Sequence, residues 1–291
     1  MSRWSCAITR GNNNIRIVVS LAVALTFFSG QTANAGAEPE DRPASELTIA
    51  IASPLRQPIV GERLGFHGRW LGIPVGYGWL EVKGVVEIEG RRAYHIAVEG
   101  HSNDILSAFY PIHDVVDSYL DVETLQPLRF EKHQHEGHYR SDEIVTFDQV
   151  KSLAKWHSLL HGNTETKDIP LPSQYQDIIS AIYWFRAQPI HPNETVTLDL
   201  YTDEKIYQTW ILVKDASLLE LLKRGTFPCL LVELKAAFKG LLVRRGRIWG
   251  YITTDEHRLP LYIKVTTPWG PMSAVIDDSS LQAILKTRRK P

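Results

Sequence analysis

The sequence predicts a mainly β protein, in which one antiparallel sheet is strongly curved or forms an incomplete β-barrel with one amphipathic helix packed across it. From Ile59 onward, short runs of Val, Ile, Tyr, Phe and Trp are separated by Gly, Asn or Asp at intervals of about 8 to 12 residues, which is typical of antiparallel strands. Apolar residues within these runs recur with period two, as at Leu80 and Val82, so each strand has one face suited to burial. One segment alone has clear helical periodicity.

The first 35 residues predict a signal peptide. A basic region ends at Arg16, an apolar run follows from Ile17 to Phe28, and the small-residue triplet Ala33-Asn34-Ala35 precedes Gly36. This run is shorter than the roughly 20 residues that a membrane-spanning helix needs. We therefore expect cleavage after Ala35 and a soluble product in the periplasm.

Four regions are expected along the chain. Residues 1–35 are the signal peptide, residues 36–58 are a flexible linker rich in Pro and Ala, residues 59–285 form a single β-rich domain, and residues 286–291 are a basic C-terminal tail. Cys6 lies in the signal peptide, so Cys229 alone remains and no internal disulfide can form. We expect Cys229 to be a buried small hydrophobic residue.

Composition excludes several classes of protein. The 291 residues are 44% hydrophobic and 22% charged, with 32 Lys plus Arg against 33 Asp plus Glu, which is typical of a globular protein rather than a disordered or collagen-like chain. Loss of the signal peptide removes Arg3, Arg10 and Arg16 and changes the formal net charge from −1 to −4. This acidic balance argues against nucleic acid as a partner.

Two hairpins can be placed from turn residues. Trp79–Ile88 and Ala93–Val98 flank the turn Glu89-Gly90-Arg91. Thr195–Tyr201 and Ile206–Val213 flank Asp203-Glu204 in the same way.

The predicted helix spans Tyr175 to Ala187. Ser173 and Gln176 form a capping box, and Pro189 ends the helix. The apolar residues at helical spacing are Ile178, Ala181, Ile182 and Phe185. A leucine-rich segment from Ser217 to Lys223 is either a second helical turn or a strand edge.

Recognised catalytic motifs are absent, including phosphate-binding glycine loops, zinc-protease motifs and nucleophile elbows. The strongest local cluster is His133, His135 and His138: with a turn at Glu136-Gly137, these imidazoles share one hairpin face and could bind Zn²⁺ or Cu²⁺. The alternative is an exposed hairpin tip without metal. Since no fourth ligand stands at a fixed spacing, we expect no metal and no cofactor.

Carboxylates recur every three or four residues between 114 and 121. On a strand, Asp114 and Ser118 project from one face, and Asp117 and Asp121 from the other. Residues four apart on a strand are about 13 Å apart, whereas the two carboxylates of a glycoside hydrolase are ~5 to 9 Å apart. A structural role in turn closure and hydrogen bonding is therefore favoured.

Read in order, several stretches resemble a bacterial exported family known as domain of unknown function 3108. The matching stretches are Gly61–Leu64, Gly72–Gly76, Ser102, Tyr110–Asp121, Asp177–Arg186, Lys239-Gly240, Ile248-Trp249 and Asp255–Pro260. The resemblance covers about Ile59 to Leu285 and implies a β-rich periplasmic or envelope-associated protein without an established reaction. It supplies no catalytic residue.

Polar and aromatic residues in these stretches are the candidate ligand-binding residues. They are Trp249, Tyr183, Arg186, Asp114, Ser118, Asp255 and Arg258. A structural role is the alternative for each: Trp249 can belong to the core, the Asp255 carboxylate can accept backbone N–H bonds within its turn, and Arg258 can clamp that turn or the helix.

The expected function is non-catalytic binding or shuttling of a lipid or glycan of the cell envelope, because a curved sheet closed by a helix can leave an apolar interior. Two alternatives from other classes are a hydrolase of an envelope polysaccharide and a scaffold for another envelope protein. A deep apolar cavity would favour the lipid binder, a wet cleft with two carboxylates the hydrolase, and a filled core with a flat apolar edge the scaffold.

Overall fold

A computed structural model describes residues 40–43, 49–160, 163–202, 204–221, 224–236, 248–267 and 270–288. The predicted signal peptide, Lys239-Gly240 and Asp203 of the second predicted turn lie outside these ranges. The strands are β1 (Glu40–Pro43), β2 (Arg63–Trp70), β3 (Ile73–Ile88), β4 (Arg91–Ser102), β5 (Ile112–Asp121), β6 (Pro127–Glu136), β7 (Tyr139–Asp148), β8 (Leu153–Leu160), β9 (Asn163–Pro170), β10 (Thr195–Thr202), β11 (Lys205–Leu221), β12 (Gly225–Ala236), β13 (Ile248–Thr253), β14 (Pro260–Thr267) and β15 (Gly270–Ile276). The helices are α1 (Asp104–Ser107), α2 (Ser180–Arg186) and α3 (Asp278–Arg288).

In the described parts of the chain, these strands form one antiparallel sheet built from two meanders. Strands β2 to β9 pair in sequence, and so do β10 to β15. The two meanders join where β15 pairs with β2, for example at Met272 and Trp70. The sheet does not close, since β9 forms one edge while β10 and β1 both pair with β11 at the other. The predicted curved antiparallel sheet is confirmed.

The sheet curls so that its two edges approach each other. Tyr201 of β10 packs edge-on against Phe147 of β7, with ring centroids 5.4 Å apart, and Lys167 of β9 forms a 3.2 Å ion pair with Glu204. The chain between β9 and β10 lies in the gap, where Gln176 forms a parallel bridge with Leu200. Edge strand β9 is polar and almost entirely exposed, a composition that discourages pairing with another chain.

Inward-facing residues fill the concave side. Four strands of the first meander each contribute a completely buried residue: Val82, Ile96, Leu120 and Val145. They belong to the same core cluster as Ile179, which immediately precedes α2. A second cluster joins the other meander to α2 through Phe185. Cys229 is a free, fully buried thiol, as expected from the sequence.

Helix α2 is shorter than predicted because its start is set by a different capping interaction. The Asp177 carboxylate accepts hydrogen bonds from the backbone N–H groups of Ile179 and Ser180, at 2.7 and 2.8 Å. In return, the Ser180 hydroxyl accepts a hydrogen bond from the backbone N–H of Asp177. Gln176, predicted to be a capping-box residue, instead pairs with β10 and is 3% exposed. The capping box predicted for Ser173 and Gln176 is therefore wrong.

Both ends of the domain also differ from expectation. Residues 49–58, predicted as part of a linker, contact the domain: Ala52 and Leu55 donate backbone hydrogen bonds to Thr254 and Glu256. Residues 286–288, predicted as part of a tail, belong to α3. The segment from Ser217 is strand through Leu221, which settles the choice between helix and strand for those residues. None of the helices in the described ranges is long and apolar enough to cross a membrane.

The two predicted hairpins are present. Glu89 and Gly90 both have positive φ, 50° and 79°, in the two-residue connection between β3 and β4. The β6–β7 turn is shifted by one residue from its predicted position and contains Gly137 and His138. Gly137 has φ of 56°, and a Cβ there would stand 2.7 Å from the Tyr110 ring, so both conformation and packing place glycine at this turn position.

Candidate functional site

Tyr183 and Arg186, two of the candidate ligand-binding residues, form a buried ion-pair cluster with Glu62. The Arg186 guanidinium donates to both Glu62 carboxylate oxygens at 2.7 Å, and its Nε donates to the carbonyl of His257. The Tyr183 hydroxyl donates to the same carboxylate at 3.2 Å, and its ring lies 4.8 Å below the guanidinium carbon. These contacts fix α2 to the sheet and leave the side chains little surface for a ligand.

Asp255 and Arg258 form the neighbouring turn, with the structural roles that their positions suggested. One Asp255 oxygen accepts bonds from the Thr253 hydroxyl and from the backbone of His257 at 3.0 and 2.9 Å. Arg258 is 1% exposed and donates to the carbonyl of Gln188, just beyond α2. Burial lowers the pKa of Arg258.

Asp114 faces inward, on the same side of β5 as Ser118, as the alternation predicted. It accepts the backbone N–H bond of His135 at 2.9 Å, beside Gln134 and Glu136. Burial raises the pKa of Asp114. Asp114 and Glu136 are each 3% exposed, so a substrate cannot reach this carboxylate pair without opening the sheet.

Ser118 links β5 to the beginning of α2. Its hydroxyl donates to Asp177 Oδ2 at 2.6 Å, while Asp177 Oδ1 holds the first helical N–H groups. Asp177 is fully buried, and this burial raises its pKa to about 6 despite those hydrogen bonds. This hydrogen bond therefore connects the sheet to the start of α2, and one of its partners is a titratable group.

This titration predicts a pH dependence of stability that Asp177→Asn should reduce. Between about pH 4 and pH 6 the native state holds a proton that the unfolded chain has released, so the free energy of unfolding should fall with rising pH, by about 2 to 3 kcal/mol. Urea unfolding at pH 4.5 and pH 7 should show this fall in the unsubstituted protein and in an Asp168→Asn control on exposed β9. The fall should be clearly smaller in Asp177→Asn, where the buried Asp114 carboxyl, whose pKa is also raised, still contributes. An equal pH dependence in all three proteins would contradict the assignment.

The remaining predicted residues lie elsewhere. Trp249 is half-buried on β13, opposite Glu233 and Lys264. His133 and His135 both point outward from β6, where His133 bonds to Asp142 at 2.6 Å and His135 lies opposite Arg140. His138 occupies the turn, so it does not face His135 as predicted.

A groove of about 320 Å³ lies at the open edge of the sheet, where the segment before α2 covers the gap beside β10. Five parts of the chain form it: the β5–β6 turn, the segment before α2, α2 itself, β10 and β11. Its lining residues are Thr124, Gln126, Ser173, Gln174, Tyr175, Gln176, Trp184, Thr197, Leu198, Asp199 and Gln208.

The groove is chemically polar with an aromatic component. Eight of its eleven described lining residues are polar, two are aromatic and one is aliphatic. Carboxamides such as Gln174 and Gln208 can both donate and accept hydrogen bonds. Gln176 is held by backbone bonds to β10, and its side-chain Oε1 is buried without a hydrogen-bond partner among the described residues. Asp199 is the one carboxylate among the described lining residues.

None of the seven candidate ligand-binding residues is among the described residues that line this groove. Sequence reasoning missed it because the described groove residues come from five segments spread over more than 80 positions, from Thr124 to Gln208, with no common spacing. The signal in the sequence is the polar and aromatic run Ser173–Gln176, which also matches a helix capping box.

Comparisons with known proteins place the chain among proteins of uncharacterised function. The family model described as "Protein of unknown function (DUF3108)" matches residues 66–277. No curated protein matches the sequence. The fold is similar to a solved structure described as a beta-barrel-like protein of domain of unknown function DUF1849 from Brucella abortus, with a TM-score of 0.54 and 9% sequence identity over 76% of this chain and 97% of that one.

Proposed function

This chain belongs to the DUF3108 family, and we propose that it binds a glycan of the cell envelope, without catalysis, in the groove at the open edge of its sheet. The observation that carries this proposal is the lining of the groove. Sites for lipid chains are mostly apolar, whereas eight polar residues beside the partly exposed Trp184 suit the hydroxyl groups and an apolar ring face of a sugar.

The alternatives have less support. The described lining contains a single carboxylate, Asp199, whereas glycoside hydrolysis commonly needs two. The paired inward carboxylates are buried, as described above. A scaffold that adds a strand at β9 would have to pair with an edge whose exposed residues include Glu165, Lys167 and Asp168.

The proposed location in the periplasm rests on the predicted signal peptide. Cleavage after Ala35 would leave Gly36-Ala37-Glu38 as the first residues of the protein recovered from the envelope fraction. N-terminal sequencing that found Met1 in that fraction would contradict this part of the proposal.

Binding can be tested with two oligosaccharides, the tetramers of N-acetylglucosamine and of glucose, titrated into the protein and followed by NMR. We expect at least one to bind with a Kd below about 1 mM. Thr197→Arg places a long side chain in the groove from an exposed position and should weaken binding at least tenfold, or about 1.4 kcal/mol.

Thr195→Arg is the matched control. Thr195 is exposed two residues earlier on the same face of β10, but it does not belong to the groove lining. This variant should bind like the unsubstituted protein. The proposal is wrong if neither oligosaccharide binds, or if the two arginine variants bind equally well. Native mass spectrometry that found a copurified lipid instead would favour the lipid alternative.

A further inference from the structure

The outward face of the first meander carries a second cluster, which is separate from the groove. Glu99 and His101 stand two residues apart on β4 and therefore share this face. His113 of β5 lies directly opposite His101, and the two imidazole rings stack with centroids 4.5 Å apart.

The three side chains converge on a single point. The Nε2 atoms of His101 and His113 lie 2.9 and 3.1 Å from the same oxygen, Glu99 Oε1. All three ligand atoms lie within 4.8 Å of one another. Bonds of about 2.0 to 2.1 Å to a tetrahedral zinc ion separate neighbouring ligand atoms by about 3.3 Å. The two distances to Glu99 are already close to this value, and the two imidazole nitrogens, which lie within 4.8 Å of each other, would have to approach by at most about 1.5 Å to coordinate one ion.

The surrounding structure holds this arrangement in place. The rings of Tyr77 and Trp79 on β3 both stack on His101, with centroid distances of 5.2 Å. Strands β4 and β5 are interior strands of the sheet, paired along their whole length. The His113 side chain is 50% exposed, so an ion can enter from solvent. Preorganised ligands and an access route are both needed in a metal site.

We propose that Glu99, His101 and His113 bind a divalent transition-metal ion, with zinc as its best-fitting member. Two imidazoles and one carboxylate suit zinc, copper or nickel, whereas calcium and magnesium prefer oxygen ligands alone. Three protein ligands leave one coordination position for water or for a group on another molecule. His135 is the next residue along this row, and its ring meets that of His113 edge-on at 6.4 Å.

The test is calorimetric titration of Zn²⁺ into the untagged protein, with the apparent affinity compared among variants. We expect one ion per chain. His113→Ala should lower the affinity at least ~100-fold, and Glu99→Gln, which keeps the size of the side chain, should lower it roughly 10- to 100-fold. Since His113 is half exposed and Glu99→Gln is nearly isosteric, both variants should keep their fold, which circular dichroism can check.

His95→Ala is the matched control, because His95 is another outward histidine of β4 and bonds to a carboxylate, Asp117, at 2.6 Å. It should bind Zn²⁺ as the unsubstituted protein does. Co²⁺ titration gives a second readout, since tetrahedral coordination produces visible absorption bands that should disappear in His113→Ala. The proposal is overturned if no Zn²⁺ binds at about 100 μM protein, if His113→Ala binds like the unsubstituted protein, or if His95→Ala loses affinity to the same extent.

Discussion

Replacing Glu62 by glutamine is expected to lower the free energy of unfolding by about 3 to 5 kcal/mol. The side chains of Glu62 and Arg186 are 9% and 10% exposed, and they form two parallel 2.7 Å hydrogen bonds. The substitution leaves a buried guanidinium without its counter-charge, and desolvation of that charge is the cost. Urea unfolding monitored by circular dichroism measures the change.

Two controls separate this buried pair from the general effect of losing a charge. Lys167→Gln removes an exposed ion pair with Glu204, whose side chains are 45% and 38% exposed, and should cost no more than about 1 kcal/mol. Replacing both buried partners, as in Glu62→Leu with Arg186→Met, removes the uncompensated charge and should recover most of the loss. A Glu62→Gln variant as stable as Lys167→Gln would show that water reaches Arg186.

The sequence predicted the sheet well because the signals for it are local. Alternation at Leu80 and Val82 and the turn at Glu89-Gly90 depend on neighbouring residues, and both predictions are confirmed. The same alternation placed Asp114 and Ser118 on one face correctly. The start of the helix is harder to predict, because two overlapping pairs, Ser173 with Gln176 and Asp177 with Ser180, both have the spacing of a helix cap. Gln176 pairs with β10 in the folded protein, and the helix is therefore capped by Asp177.

The candidate sites could not be predicted because they depend on which strands pair. Glu62 and Arg186 are 124 positions apart, and no spacing rule connects them. His101 and His113 become neighbours only through the register of β4 and β5, whereas His133 and His135 were noticed because they are close in sequence. A hairpin register deduced for β4 and β5 would have shown the pairing of His101 with His113.

Replacing Phe185 by alanine is expected to destabilise the protein by about 3 to 5 kcal/mol, a large part of the roughly 5 to 15 kcal/mol typical of a domain. Phe185 is 6% exposed and packs in the cluster that contains Ile190, Leu198 and Leu230. Loss of its ring would leave a cavity between α2 and the second meander. The thermal and urea unfolding curves should both shift.

A different role for α2 would be a mobile lid over a ligand cavity, and the same variant tests that alternative. For a lid, Phe185→Ala would leave stability nearly unchanged and would reduce ligand binding instead. Phe109→Ala is the matched control, because Phe109 is 77% exposed and its loss should change stability by no more than about 0.5 kcal/mol. Because Asp177, Arg186 and Gln188 tie both ends of α2 to the sheet, the fold favours the core role. A Phe185→Ala variant as stable as Phe109→Ala would overturn that role and make α2 the moving part beside the groove.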